Sequence, residues 1–319
     1  MWRRTLLTVS LTAMATTAQV KIDKAAYQGW PNCYRMTNGE IELVATSDIG
    51  PRVMRYGFVK GQNLFAEFAP EMGKSGEKEW KARGGHRLWI APETKETYAL
   101  DNGPIQVEAK GGTLIMTQPV EPETGLEKQI IIQMAARGTA VEVTHRLRNT
   151  RRAAKEFAPW ALTMMAPGGL GITGFPPRGS HPKDLLPTNP LVMWAYTDFS
   201  DPRWTFTYKY LMLQQDPKNA RPMKTALFNP DTWGGYLLGS DLYLKRYKAD
   251  PTKTYPDYGS SFETFTNNEF LELETVGPLT KVAAGATVEH LERWSLHKNV
   301  KLKAKTDAEL DRVMLPLLR

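Results

Sequence analysis

The sequence predicts an all-β protein, a sandwich or barrel of many short antiparallel strands. Three observations carry this. Short runs alternating apolar and polar side chains recur about every ten residues, as half-buried strands do. The 25 glycines and 22 prolines are spread along the chain and punctuate it between those runs. Helical periods do not intervene between the runs, which favours antiparallel pairing over crossover units.

Taken in order, "GEIELVATSDIG" sets Ile41 and Leu43 against Glu40 and Glu42, and Gly50-Pro51 ends it. "PRVMRYGFV" and "NLFAEF" follow as strands. "GPIQVEAKGGTLIMTQPV" reads as a hairpin turning at Gly111-Gly112, a pair that tolerates the positive φ such turns require. "LEKQIIIQMAARGTAVEVTHRLRNT" is a second hairpin, turning at Arg137-Gly138, and "WGGYLLGSDLYLKRY" continues the pattern. The last runs are "SSFETFTNNEFLELETVGPL" and "ATVEHLERWSLHK". One helix is predicted, in "TDAELDRVMLPLLR", where Thr306 caps and Glu309 completes a capping box. Leu310, Val313, Met314 and Leu317 would share its apolar face, packed on the outside of the sheets.

Composition narrows the class. The chain has 319 residues, 41% hydrophobic and 10% aromatic, enough for a sizeable core in one large β-domain. Residues 1–18 have the form of a secretory signal peptide: Arg3 and Arg4, an apolar run from Leu6, then small residues with Ala15 and Ala18 as cleavage candidates. That leaves residues 19–319 as a single domain and predicts a periplasmic or secreted protein. Past the leader no window of about 18 apolar residues occurs, so no membrane-spanning helix is expected. The formal charge of +7 falls to +5 without the leader, which carries two arginines and no acid. This surplus is dispersed and lacks an aromatic-interleaved basic stripe, so nucleic acid is not the expected partner. Cys33 is the only cysteine; no internal disulfide can form, and a small buried side chain is expected there.

Three clusters could carry chemistry. In "KARGGHRLWIAPE", Gly84-Gly85 would sharpen a turn presenting His86 as a general acid and Arg87 as a charged anchor, with Trp89 and Glu93 beside them. In "KEFAPWALTMMAPGGLGITGFPP", Trp160 is placed at a strand end before a long Gly/Pro-rich stretch, suited to be a sugar platform or a core residue. In "YPDYGSSFETFTNNEFLELETVGPL", Asp257, Glu263, Asn267, Glu272 and Glu274 crowd among aromatics. Such density suits either a carbohydrate site, which needs ring stacking and hydroxyl hydrogen bonds together, or a solvated sheet face. As a strand, "FLELETVGPL" puts Glu272 and Glu274 on one face and Leu271 and Leu273 on the other. Two carboxylates side by side repel, so that face is either bathed in water or lines a site that uses a carboxyl. His145 falls in register with Val141, Val143 and Leu147 and reads as a core histidine. His181, His290 and His297 have no ligand-like spacing, so no metal is expected. Without a Gly-rich phosphate loop, no cofactor is expected either.

"FLELETVGPLTKVAAGATVEHLERWSL" resembles the C-terminal part of the galactose mutarotase-like proteins, the aldose 1-epimerase superfamily. The strand core is Leu273-Glu274-Thr275, with Gly285 at the following turn. "THRLRNT" resembles the family strand that ends in an Asn-Thr turn, and the pattern extends over most of residues 30–298, with "GGHRLW" and "APWALTMMAPGG" included. The resemblance implies a β-supersandwich with a sugar-binding groove on its concave sheet. It also implies a glutamate that takes the proton from the anomeric hydroxyl and a histidine that protonates the ring oxygen. Glu274 matches the base; where the family's histidine is expected, after Asn149-Thr150, this chain has Trp160, and His86 is the remaining candidate acid. The resulting expectation is an exported protein binding a saccharide or sugar acid through Arg87, Trp89, Glu93, Trp160, Asp257, Glu263, Asn267 and Glu272. Its activity would be aldose 1-epimerase-like. The alternatives are a non-catalytic carbohydrate-binding or sensing protein and a polysaccharide lyase or hydrolase. The sequence is silent on oligomeric state.

Overall fold

The structure, a computed structural model, describes residues 19–319; the expected leader at 1–18 lies outside them. Two large antiparallel sheets face each other. The first runs in the order β1 (Lys21–Tyr27), β2 (Trp30–Thr37), β3 (Ile41–Thr46), β4 (Arg52–Phe58), β5 (Gly85–Ala91), β10 (Lys155–Met165), β19 (Leu271–Val276), β18 (Phe262–Thr266), β15 (Met223–Leu227), β12 (Leu191–Met193). A short β20 (Thr280–Val282) pairs with the start of β10. The second runs β13 (Trp204–Phe206), β14 (Tyr210–Gln214), β11 (Leu170–Gly174), β16 (Asp231–Leu238), β17 (Asp241–Lys248), β21 (Thr287–His297), β9 (Val141–Asn149), β8 (Leu126–Met134), β7 (Thr113–Thr117), β6 (Gln106–Lys110).

The period-2 pattern fixes which side chains enter the core between the sheets. Ile41 and Leu43 of β3, Leu88 and Ile90 of β5, and Leu271 and Leu273 of β19 meet Ile130, Val143, Tyr243 and Trp294 from the other sheet. Each fully buried Leu or Ile of this kind contributes about 1.5–3 kcal/mol. The hairpins turn where expected, with Gly111, Gly112 and Gly138 at positive φ. His145, at 0% exposure, lies in the core with Val143 and Leu147. Cys33 is buried and free.

Two elements differ from expectation. "NLFAEF" makes only isolated bridges, Phe65 with Met165 and Glu67 with Gly84, because it crosses the end of the sheet instead of running along it. The C-terminal helix, Asp307–Met314, is capped by Thr306, whose side chain accepts from the Glu309 amide. Glu309, however, accepts from the Lys303 amide and pairs with Arg312, so the box is made on one side. Leu310 and Met314 pack against Trp233, Leu242 and Leu244 on the outer face of the second sheet.

Candidate functional site

The candidate site lies on the outer face of the first sheet, over β5, β10, β19, β18 and β15. Register aligns its side chains in cross-strand rows: Arg87, Leu162, Glu274 and Glu263 form one. Met164, Glu272, Phe265 and Lys224 form the next, and Trp89, Trp160 and Val276 a third. Every second residue along each strand reaches this face, so the alternation that buries Leu271 and Leu273 delivers Glu272 and Glu274 here.

Above the rows is a cavity of about 270 Å³, lined by Trp80, Arg87, Trp89, Glu93, Tyr98, Trp160, Tyr196, Lys224, Phe265, Phe270 and Glu272, with Ala82, Leu162 and Met164. Its aromatic wall is continuous. The ring centroids of Trp89 lie 5.4 Å from Trp160, 5.6 Å from Trp80 and 5.0 Å from Tyr98. The guanidinium of Arg87 sits 4.2 Å from the Trp89 ring centroid and 4.7 Å from that of Trp80. Arg87 is only 2% exposed, and its Nε and Nη1 have no hydrogen-bond partner among the described residues. Burial brings its pKa down to about 10, with Arg52 adding to the effect.

Beneath the cavity lies a charged knot. Lys224 Nζ is 2.7 Å from Glu263 Oε2 and 3.1 Å from Glu274 Oε2, and it stands over the rings of Trp160 and Trp194. Trp160 Nε1 donates to Glu274 Oε2 at 2.8 Å, while Glu274 Oε1 has no partner among the described residues. Burial works against the charge on Lys224, but Glu263 and Glu274 outweigh it and raise its pKa well above the ordinary value. Burial pushes the Glu263 carboxyl up, with Lys224 pulling the other way. Glu272, at the cavity, is raised to about 8 by burial and then by its neighbour Glu274. One ammonium touches two carboxyls with Glu272 close by, and burial favours the protonated form of both Glu263 and Glu272.

The sequence-selected residues divide accordingly. Arg87, Trp89, Glu93, Trp160 and Glu272 line the cavity. Glu263 and Glu274 lie under its floor, 1% and 0% exposed. Glu93 accepts from the Tyr98 hydroxyl. Trp160 sits within β10, not at its end. Asn267 holds the β18–β19 turn, its Oδ1 accepting from the Glu269 and Phe270 amides. Asp257 occupies a left-handed turn (φ 49°) with Tyr258. Neither lines the cavity.

His86 is not in the groove. It follows Gly85 in a strand, so it points opposite to Arg87, into the space between the sheets, at 0% exposure. The glycines serve close chain approach there: a Cβ at Gly84 would lie 2.1 Å from the Ala66 carbonyl oxygen, and one at Gly85 2.4 Å from that of Val53. His86 Nδ1 bonds Thr163 Oγ1 (2.8 Å) and its Nε2 bonds His145 Nε2 (2.7 Å). Burial holds His86 well below the ordinary histidine range. Glu292 completes this inner cluster, 2.7 Å from Lys245 Nζ and accepting from Trp294 Nε1. The ligand atoms of His86, His145 and Glu292 lie within 4.8 Å of one another, the one such group among the described residues. Their donors and acceptors are spent on one another, on Lys245, and on Thr163, Thr275, Trp294 and the His290 carbonyl.

Trp80, Tyr98, Tyr196 and Lys224 escaped sequence reasoning. Lys224 had a signal, since "MKTAL" alternates; Trp80, Tyr98 and Tyr196 come from segments between strands that have no period. Larger hollows exist, of about 530 Å³ beside Arg178 and Phe206, about 480 Å³ beside Arg203 and about 390 Å³ by the C-terminal helix. The second is lined by an arginine already paired to Asp201, and none of the three gathers buried carboxyls.

No protein-family model matches the sequence, and no curated protein does. Solved structures do. A galactose mutarotase-like protein from Lactobacillus casei superposes with a TM-score of 0.55 at 11% identity, over 83% of this chain and 100% of that one. A protein from Synechocystis sp. PCC 6803 gives 0.56 at 11%, over 86% and 98%. The fold is galactose mutarotase-like. A galactose mutarotase related enzyme from Lactobacillus acidophilus gives 0.54 at 8%, over 84% and 98%. At such identities the likeness concerns the mutarotase-like fold, and function has to be argued from the groove itself.

Proposed function

We propose that the groove binds a saccharide and that the protein acts on it as an aldose 1-epimerase-like isomerase. The observation that carries this is an aromatic-walled cavity on the sheet of a mutarotase-like fold, with a carboxyl at its floor held near pKa 8. Stacked rings offer faces to the C–H side of a sugar, and Arg87 offers donors. Glu274, expected as the base, lies fully buried under Lys224 and cannot meet a sugar without rearrangement. Glu272 reaches the cavity. The anomeric hydroxyl and the ring oxygen share one carbon, so the two oxygens of a single protonated carboxyl can serve both. One oxygen of Glu272 takes the anomeric proton while the other gives its proton to the ring oxygen. The C1–O5 bond breaks, C1=O forms, and the open aldehyde rotates. Closure in reverse returns both protons. This requires no histidine in the groove, and a carboxyl that keeps its proton near neutral pH is suited to it.

The test is NMR exchange between sugar anomers. Wild type should accelerate it, and Glu272→Gln should lose about 10²–10⁴-fold while still binding. Unaltered exchange in Glu272→Gln would remove Glu272 from the chemistry. No acceleration by wild type, despite saccharide binding, would establish the second reading, a non-catalytic binding protein, which the inward orientation of His86 favours. We also propose export, tested by the N-terminal sequence of the protein recovered from a bacterial periplasm; an intact Met1 start would refute it.

A further inference from the structure

We infer that the groove selects a sugar bearing a carboxylate, with Arg87 as the group that receives it. This rests on the saccharide reading above and names the class of saccharide. The basis is an unanswered cation. Arg87 is buried, lines the cavity, and has neither Nε nor Nη1 bonded to any described residue. A guanidinium removed from water is costly unless a partner takes its donors and its charge. The acids that could do so are engaged elsewhere. Asp101 pairs with Arg52 at 2.5 Å, Glu93 accepts from Tyr98, and Glu263 and Glu274 gather on Lys224. Burial and then Glu274 push Glu272 up to about 8, which limits the charge it offers Arg87 at neutral pH. Trp80 Nε1, on the same wall, is a further buried donor without a partner.

Sugar hydroxyls could accept from these donors but would leave the positive charge uncompensated. A carboxylate answers both. The guanidinium lies against the rings of Trp80 and Trp89, and a planar two-oxygen anion is the partner an arginine meets with two parallel hydrogen bonds; Nε and Nη1 are covered in the free protein, so a small shift of the side chain would accompany binding. The cavity, about 270 Å³, is below the ~300–1,000 Å³ usual for drug-sized ligands, which suits a single sugar ring. The pocket therefore fits a hexuronate whose carboxylate docks on Arg87 and whose anomeric carbon faces Glu272.

The experiment is calorimetric titration of wild type, Arg87→Gln and Arg87→Lys with D-glucuronate, D-galacturonate, D-glucose, D-galactose and D-glucose 6-phosphate, each variant checked for folding by circular dichroism. The inference expects a uronate to bind at least about tenfold more tightly than its parent hexose, as charge-assisted hydrogen bonds give. Arg87→Gln should erase that margin and Arg87→Lys should keep part of it. A hexose binding as tightly as its uronate would overturn the inference and leave the saccharide reading intact. Preference for the 6-phosphate over both uronates would overturn the carboxylate assignment. If no sugar binds wild type, both readings fall. If Arg87→Gln does not fold, the wild-type uronate-to-hexose ratio and Arg87→Lys still decide.

Discussion

The proton on Glu272 can be tested without knowing any ligand. Its carboxyl ionises at 4.5 in the unfolded chain and about 8 in the folded one, through burial and the adjacent Glu274. Between those values the folded state holds a proton the unfolded state has released, so stability must fall as pH rises. The slope is about 1.4 kcal/mol per pH unit, from just above pH 4.5 until the curve flattens past pH 8, a total of roughly 5 kcal/mol. Glutamine has the shape of the protonated side chain and cannot ionise. Glu272→Gln should therefore match wild type within about 1 kcal/mol near pH 4.5 and exceed it by roughly 4–5 kcal/mol at pH 9. At about 2 °C per kcal/mol for a chain of this size, the melting temperatures should separate by roughly 10 °C at pH 9. Calorimetric melting of both proteins from pH 4.5 to 9 reads this directly. Melting curves that stay parallel across the range would show that Glu272 titrates as an ordinary surface acid, and the mechanism proposed for it would fall with that result.

Three further outcomes follow from the same geometry. Lys224→Met leaves Glu263 and Glu274 without their ammonium and should cost about 3–5 kcal/mol at pH 8 by urea denaturation, and less at pH 5, where Glu263, already pushed up by burial, takes up a proton. His86→Ala should destabilise by about 2–4 kcal/mol, since it opens a cavity and orphans the Thr163 and His145 partners; saccharide affinity should hold, and its loss in a folded variant would show that His86 reaches the groove. Thr306→Ala should cost about 0.5–2 kcal/mol in the same denaturation assay by uncapping the C-terminal helix.

How far the site was legible depended on parity along strands. Alternation placed Leu271 and Leu273 inside and Glu272 and Glu274 opposite, and the structure follows it. The same rule, applied to "GGHRLWI", separates His86 from Arg87, but reading the double glycine as a turn suspended the alternation and put both in one site. The glycines instead permit close approach of neighbouring backbone where β5 begins. A residue's face can be read from its strand, but which face carries the ligand cannot, because both faces of the first sheet are buried here: one by the second sheet, one by Trp80, Tyr98 and Tyr196 from connections. Those connections have no periodicity to read, so the outer wall was invisible while its floor was not. Asp257 and Asn267 were drawn in by sequence proximity to Glu263 and Glu272, but turn residues at a sheet's edge do not share the register that aligns a row across it.

The two polar clusters stand back to back across β10 and β19, and they hold their charge differently. On the inner side Lys245 pairs with Glu292 and donates to the carbonyls of Ala161 and Leu273 and to Thr163 Oγ1, so its charge is answered by a carboxylate in contact, beside three histidines kept neutral by burial; His290 Nδ1 and the Tyr243 hydroxyl stay without a partner among the described residues. Burial brings His290 down to about 3, and Lys245 with the histidines holds Glu292 low against the effect of its burial. On the outer side the sum does not close: Arg87 has no acid in contact among the described residues, Glu274 keeps an unpartnered oxygen, and Glu272 is pushed up to about 8. Both sides carry the desolvation cost of buried polar groups and each keeps polar atoms without a partner, but only on the outer side does a buried cation without an ion-pair partner line a cavity. The inner ammonium and carboxylate are in direct contact. Arg87 has only the ring faces of Trp80 and Trp89 and the attraction of Asp101 and Glu272 to set against its burial; a ligand carboxylate would add the hydrogen-bonded partner it lacks, and the groove is where that ligand would sit.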